Sequence, residues 1–286
     1  MSASGRPLKF GYFLIPNAAD PLLDIARRAE EVGLDYLGIQ DHPYQRRFVD
    51  TFALIAAIGA ATERIKLFPD VACLPLRPPA VLAKAAASID LLTGGRFELG
   101  LGAGSFWDAI EGYGGPRRSP GESLEALEEA MEVIRLIWSG ERSLRYAGEH
   151  YELKGIHGGP APSHDIGLWL GVYGPRALRL AGRKAQGWVP SFRGDVADLA
   201  RMARLLDEAA VDAGRHPGDI RRILNTGGSI TSGDSNGPFS GPVTQWVDEL
   251  LELAELGFDT FIFSNPDPEQ MVRFAEEVVP PLRQSS

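Results

Sequence analysis

The chain reads as an α/β protein, a closed (β/α)8 barrel of the TIM type. Three observations predict it. Short apolar runs of strand type alternate with helix-period segments eight times along the sequence. The length, 286 residues, is usual for one such barrel. No shift in composition marks a boundary, so residues 1–286 read as one domain, and 44% hydrophobic residues suffice for a full core. A doubly wound open sheet is the structural alternative. It needs about six strands and a glycine fingerprint after the first, where this chain has Ile15-Pro-Asn17.

Phe10 to Ile15 is the first strand. Asp20 is placed to cap a helix with Leu22, Leu23, Ile25, Ala26 and Ala29 at helical spacing, ending at Gly33. Tyr36 to Gln40 is the second strand, and a helix follows from about Val49 to Ala61. The third strand is Ile65 to Val71; Pro78 and Pro79 suit the start of the Ala80–Leu92 helix. Phe97 to Leu101 is the fourth strand, opening into Gly102-Ala-Gly104. Ser119-Pro-Gly-Glu122 has the form of a capping box before a long helix to Trp138.

The alternation breaks between Gly140 and Asp165. There, Leu144 to Leu153 alternates about an Ala-Gly turn, predicting a β-hairpin insertion between the fourth and fifth strands. Leu168 to Gly171 is the fifth strand, Ala177 to Ala185 a helix, and Gly187 to Ser191 the sixth strand. A helix over Val196–Ala213 precedes the seventh strand, Ile220 to Thr226. The Gly/Ser-rich stretch to Pro242 is long enough for a mobile lid. Val243–Leu256 (helix), Thr260–Ser264 (eighth strand) and Glu269–Val279 (helix) complete the pattern.

Composition narrows the function. The net charge of −9, with arginines spread along the chain, argues against nucleic acid as a partner. Met1 to Pro7 lacks the apolar core of a signal peptide, and no window approaches the roughly 18 apolar residues of a membrane helix; the expectation is a cytoplasmic protein acting on a small molecule. The lone Cys73 allows no internal disulfide and reads as a buried small hydrophobe. No HxH, HExxH or spaced carboxylate set suggests a metal, and Gly102-Ala-Gly-Ser105 is not a hydrolase elbow.

In a (β/α)8 barrel the site lies at the C-terminal ends of the strands. His42 directly follows the second strand, and an imidazole titrates near neutrality; it either transfers a proton or caps a loop carbonyl. Asp41 reads as its orienter. Gly174-Pro175-Arg176 opens a helix whose first amides point outward, so it either cradles a phosphate or is a plain helix start with a solvated arginine. Tyr44, Phe48, Trp107, Tyr113 and Phe192 lie on loops at the same end and either wall a substrate pocket or pack loops onto the rim.

Four stretches carry a resemblance: Glu31 to His42, Pro79 to Asp90, Gly94-Gly-Arg-Phe to Gly104, and Gly174-Pro-Arg to Pro190. In this order and spacing they resemble the luciferase-like monooxygenase family, bacterial-luciferase-type barrels that bind flavin mononucleotide (FMN) or the deazaflavin coenzyme F420. The resemblance implies a ring lying across the barrel mouth, with a non-prolyl cis peptide behind it near Asp70-Val71-Ala72. It implies that His42 flanks the ring, that Gly104 and Ser105 border it, and that Tyr173, Gly174, Pro175 and Arg176 hold the cofactor phosphate.

The sugar-phosphate dehydrogenases of the family carry a glutamate where this chain has Ser105, so their substrate is not transferred. Asp108, three residues on, stands as a second catalytic candidate beside His42. The short chain and the Asp41-His42 pair favour F420 over FMN. The expectation is hydride transfer between F420 and a small organic substrate. The alternatives are an FMN-dependent monooxygenase and a non-catalytic flavin-binding barrel. The resemblance further implies a homodimer and allows for a separate reductase that supplies reduced cofactor.

Overall fold

The structure, a computed structural model, describes residues 5–284. Most of the Met1–Pro7 leader reading therefore lies outside the described residues. The barrel passes are β1 (Lys9–Leu14), β2 (Tyr36–Ile39), β3 (Lys66–Pro69) continued as β4 (Ala72–Cys73), then β5 (Leu99–Gly102). After the β6 (Leu144–Ala147) and β7 (Glu152–Ile156) hairpin come β8 (Leu168–Leu170), β9 (Gly187–Trp188), β10 (Arg221–Gly227) and, after two short strands β11 (Ser229–Ile230) and β12 (Ser240–Gly241), β13 (Thr260–Ser264).

The strands of the main sheet pair in parallel in the order β3-β2-β1-β13-β10-β9-β8-β5-β4. Because β3 and β4 are two halves of one pass, and Leu67 bridges Phe97 in parallel, the sheet closes on itself. The peptide between the halves, Asp70–Val71, is cis, where the family resemblance places it. Among the described residues no helix is long and apolar enough to cross a membrane.

The helices cover the outside: α1 (Leu22–Glu31), α2 (Thr51–Ala61), α3 (Pro79–Thr93), the short α4 (Trp107–Gly112), α5 (Pro120–Trp138), α6 (Pro175–Lys184), α7 (Val196–Asp212), α8 (Val243–Glu255), α9 (Pro268–Arg273) and α10 (Val279–Gln284). Local chemistry sets most boundaries. Ser119 and Glu122 form the expected capping box on α5, and Gly94 ends α3 in the left-handed region. Asp20 does not cap α1: Pro21 occupies the cap position without a side-chain bond. Between α9 and α10 the helix widens to a π turn over Phe274–Val278, next to Pro280 and Pro281, which have no N–H to give the preceding turn.

Side chains alternate across each strand. Tyr36, Phe68, Trp169, Ile223 and Ile262 point inward and fill the barrel, with Phe68 5.1 Å from Trp169. Leu37, Leu67, Leu168, Leu224 and Phe261 point outward into the core beneath the helices. The next inward positions toward the mouth include Gly38, Asp70, Gly171 and Asn225 beside the apolar Phe13 and Val189, so small and polar groups interrupt the apolar filling there.

The stretch read as a mobile lid is anchored on its return. β11 pairs with β12, and Phe239 is buried with its ring 4.9 Å from Trp246 and 5.1 Å from Phe192. The Phe239 N–H donates to Glu249 at 2.7 Å.

Candidate active site

Asp41 lies two residues beyond β2, buried to 1% exposure. It accepts from the Cys73 N–H at 2.8 Å and from Arg77 Nε and Nη2 at 2.7 and 2.6 Å. It thus ties the end of β2 to the loop after β4, which agrees with a positioning role. Arg77 also reaches Asp50, the cap of α2, and lies over the Phe52 ring.

His42 follows, half-buried. Its ring stacks on Tyr44 at 5.4 Å and meets the edge of Phe106 at 5.3 Å. Burial lowers its pKa below the ordinary value, and Asp41 offsets part of that. The imidazole is therefore neutral at pH 7, able to accept a proton.

A cleft across the mouth is lined by Asp41, His42, Tyr44, Val71, Gly104 and Phe106. Glycines at the ends of the fourth and fifth passes have a first task beneath it. A Cβ on Gly102 would lie 2.8 Å from Val71 Cγ2, and one on Gly171 2.9 Å from the same atom. They form the hollow that seats the Val71 side chain. Gly104 takes φ +103°, and a Cβ there would meet the Trp107 ring at 2.8 Å. Trp107 therefore folds back over Gly104 as the first residue of α4.

Beyond Gly171 lies a second hollow, lined by Tyr173, Pro175, Ser191, Arg193 and Asp195. α6 begins at Gly174-Pro175 with no side-chain cap, and the space beside Gly174 is open. Its first amides are left for an anion. The Tyr173 hydroxyl accepts from the Ser191 N–H at 2.8 Å, and Arg193 stacks 3.9 Å over the Tyr173 ring. Arg176 is exposed beside this opening.

Three expectations from the sequence need correction. Asp108 is 98% exposed and pairs with Arg117, which also holds Glu111 at 3.0 Å; it belongs to a rim ion cluster outside the cleft. Tyr113, 62% exposed at the end of α4, does not line the cleft. Phe192 packs edge-on against Phe239 and holds the return of the 227–242 stretch instead of walling the mouth. Ser105 borders the cleft but is itself exposed.

Cys73 and Arg193 also line the two hollows, where no strand-end signal in the sequence points to them. The strand-end rule reaches Asn225, and the cluster after Gly104 contains Phe106, but which of three consecutive side chains meets His42 depends on the α4 start. Cys73 lines the cleft, with its thiol pushed up to about 11 by burial and by Asp41, so it is no thiolate at neutral pH.

A parallel barrel with an aromatic cleft across its strand ends and an uncapped helix start beside it is the mouth of a (β/α)8 enzyme. The chain belongs to the luciferase-like monooxygenase family, whose model matches residues 7–236. An F420-dependent glucose-6-phosphate dehydrogenase of Nocardia farcinica is 34% identical over 71% of this chain, a match spanning 62% of that relative. A protein of the same description from Microbacterium testaceum is 26% identical over 97% of this chain and 98% of its own length. Among solved structures, the coenzyme F420-dependent tetrahydromethanopterin reductase of Methanopyrus kandleri superposes with a TM-score of 0.84 at 21% identity, covering 97% of this chain and 100% of that one.

Proposed function

We propose that the protein is an F420-dependent oxidoreductase that moves a hydride between the deazaflavin and a small organic substrate. The observation that carries this reading is the neutral His42, packed by Tyr44 and Phe106, on a cleft lined by Val71 and Gly104 at the barrel mouth that also carries the open start of α6. The F420-dependent relatives support it.

The residues present fit the cofactor. The cleft is walled by aromatic rings and glycines, which suits a tricyclic ring, and the α6 amides with Tyr173, Gly174, Pro175 and Arg176 suit its phosphate. Val71, Gly104 and Ser105 line the cleft at the ring position, and Asp70 precedes Val71 at the end of the third pass. F420 supplies the hydride acceptor or donor. His42 takes the hydroxyl proton of an alcohol substrate, or returns it to a carbonyl. Asp41, fixed by Arg77, holds the backbone from which the imidazole projects. Tyr44 and Phe106 pack against the His42 ring and hold its orientation, with Phe106 itself exposed at the rim. Because Ser105 replaces the glutamate of the sugar-phosphate dehydrogenases, the substrate is left at the class of alcohol or carbonyl compound.

The outward faces of α2 (Ala53, Ala56, Ala57, Ala60) and α3 (Val81, Leu92) are exposed and apolar; a second copy covering them would form the homodimer. Light scattering reads its mass.

The test of function is anaerobic F420 absorbance with a panel of alcohols and carbonyls. Turnover that falls at least about 100-fold in His42→Ala, with F420 affinity nearly unchanged, is the expected result. Oxygen-dependent turnover with reduced FMN and none with F420 would replace this reading by the monooxygenase.

A further inference from the structure

A single exposed aromatic is ordinary on a protein surface. Phe106 is informative because of what it touches. The residue is 56% exposed, yet its ring meets His42 edge-on with centroids 5.3 Å apart, and Tyr44 lies 6.1 Å away. All three line the cleft. The backbone that carries Phe106 is anchored: it occupies the cap position of α4, Trp107 folds over Gly104, and Ile110, one turn on, is buried. The open ring is therefore held at the cleft and beside the proton-transfer group. An alcohol hydrogen-bonded to His42 has its carbinol carbon about 4 Å from the imidazole nitrogen. The rings of Tyr44 and Phe106, at 5.4 and 5.3 Å from the imidazole centroid, are within reach of whatever that carbon carries.

The charges of the cleft restrict the same substituent. Among the described residues that line it there is no Lys or Arg, and the one carboxylate is that of Asp41. Arg77 is taken by Asp41 and Asp50. Behind Phe106, α4 carries Asp108 and Glu111 with Arg117 shared between them. Arg46 and Arg47, on the loop after Tyr44, are exposed and outside the lining. A phosphate placed in the cleft would lose water without gaining a cation.

We propose that Phe106 sets the substrate class: its open ring receives the apolar substituent of an uncharged secondary alcohol or ketone, an aryl group above all, and phosphorylated sugars are excluded. The proposal rests on the reading of the cleft as the F420 site. It separates this chain from the glucose-6-phosphate dehydrogenases to which it is similar. An aryl substituent gains an edge-to-face or offset contact with Phe106 beyond the area it buries. In the oxidative direction the carbinol hydrogen leaves as hydride to oxidised F420 and the hydroxyl proton passes to His42. The alcohol thus becomes the ketone, and the deazaflavin is reduced.

The experiment compares wild type, Phe106→Ala and Phe106→Tyr with F420 and three substrates: 1-phenylethanol, propan-2-ol and glucose 6-phosphate. The two alcohols share the reacting methyl carbinol and differ only in aryl against methyl. In wild type, kcat/KM for 1-phenylethanol is expected to exceed that for propan-2-ol by about tenfold or more, the gain of one aromatic contact. Glucose 6-phosphate is expected to give no turnover. In Phe106→Ala the preference is expected to fall to about threefold or less, chiefly through a higher KM for 1-phenylethanol, whereas Phe106→Tyr keeps it. Any disturbance of His42 by the truncation lowers kcat for both alcohols alike and cancels from the ratio. A preference unchanged in Phe106→Ala overturns the proposal. A rise in F420 Kd larger than the rise in 1-phenylethanol KM also overturns it, because Phe106 then touches the cofactor and not the substrate. Glucose 6-phosphate turnover matching that of the alcohols overturns the substrate class in wild type, whatever the variants do. F420 binding without turnover of either alcohol overturns the proposal and leaves the cofactor site standing; absence of F420 binding overturns both.

Discussion

Arg77→Met removes the clamp on the loop that presents His42. In the native structure Asp41 is 1% exposed and takes two of its three hydrogen bonds from Arg77. After the substitution a buried carboxylate keeps only the Cys73 N–H. Breaking one side of a buried ion pair costs about 3–5 kcal/mol. Loss of the guanidinium over Phe52, at 4.5 Å, adds about 0.5–1 kcal/mol. The Asp50 contact adds little, because that carboxylate is half exposed and still caps Ala53. Apolar burial of the methionine returns part of the loss, leaving about 3 kcal/mol. For a domain of this size that is a fall in Tm of roughly 6–12 °C. Equilibrium urea unfolding at pH 8 measures it. Asp41→Asn combined with Arg77→Met is expected to be more stable than Arg77→Met alone, since the orphaned charge is gone. A single-variant loss under about 1 kcal/mol, or strict additivity in the cycle, would refute the clamp.

Gly102→Ala drives a methyl into Val71 Cγ2 and is expected to destabilise by about 1–3 kcal/mol, with Val71→Ala restoring most of it; thermal melts of the three variants decide. Asp108→Asn is expected to leave turnover within twofold, since the side chain lies outside the cleft; a larger loss of kcat would return it to the chemistry. In alcohol oxidation the acid limb of the kcat/KM profile is expected below pH 6.5, because burial lowers the His42 pKa and protonation removes the base; a limb above 6.5 contradicts the assignment.

The barrel was legible because each strand is short, apolar and bounded by a turn signal, and because parallel neighbours need a helix between them. Strand-end reading also reached His42, Asp70 and Gly174. What it missed depends on tertiary direction. Phe106, Trp107 and Asp108 are consecutive, and only the α4 start decides that Phe106 faces His42, Trp107 covers Gly104 and Asp108 faces solvent. Phe192 was drawn away by Phe239, 47 residues on, a contact no local pattern announces. The Gly102 and Gly171 hollow is filled by a side chain from the neighbouring strand, so glycine in a strand signalled close approach without naming what approaches.

The position of the cofactor phosphate decides how the ring lies against His42. Titration of F420 into wild type and Arg176→Ala, followed by ring fluorescence, measures it. Saturable binding by wild type and a loss of about 1–3 kcal/mol in the variant are expected, from one charge-assisted phosphate contact at the α6 start. Equal affinity in both proteins would contradict the assignment of the phosphate to that helix.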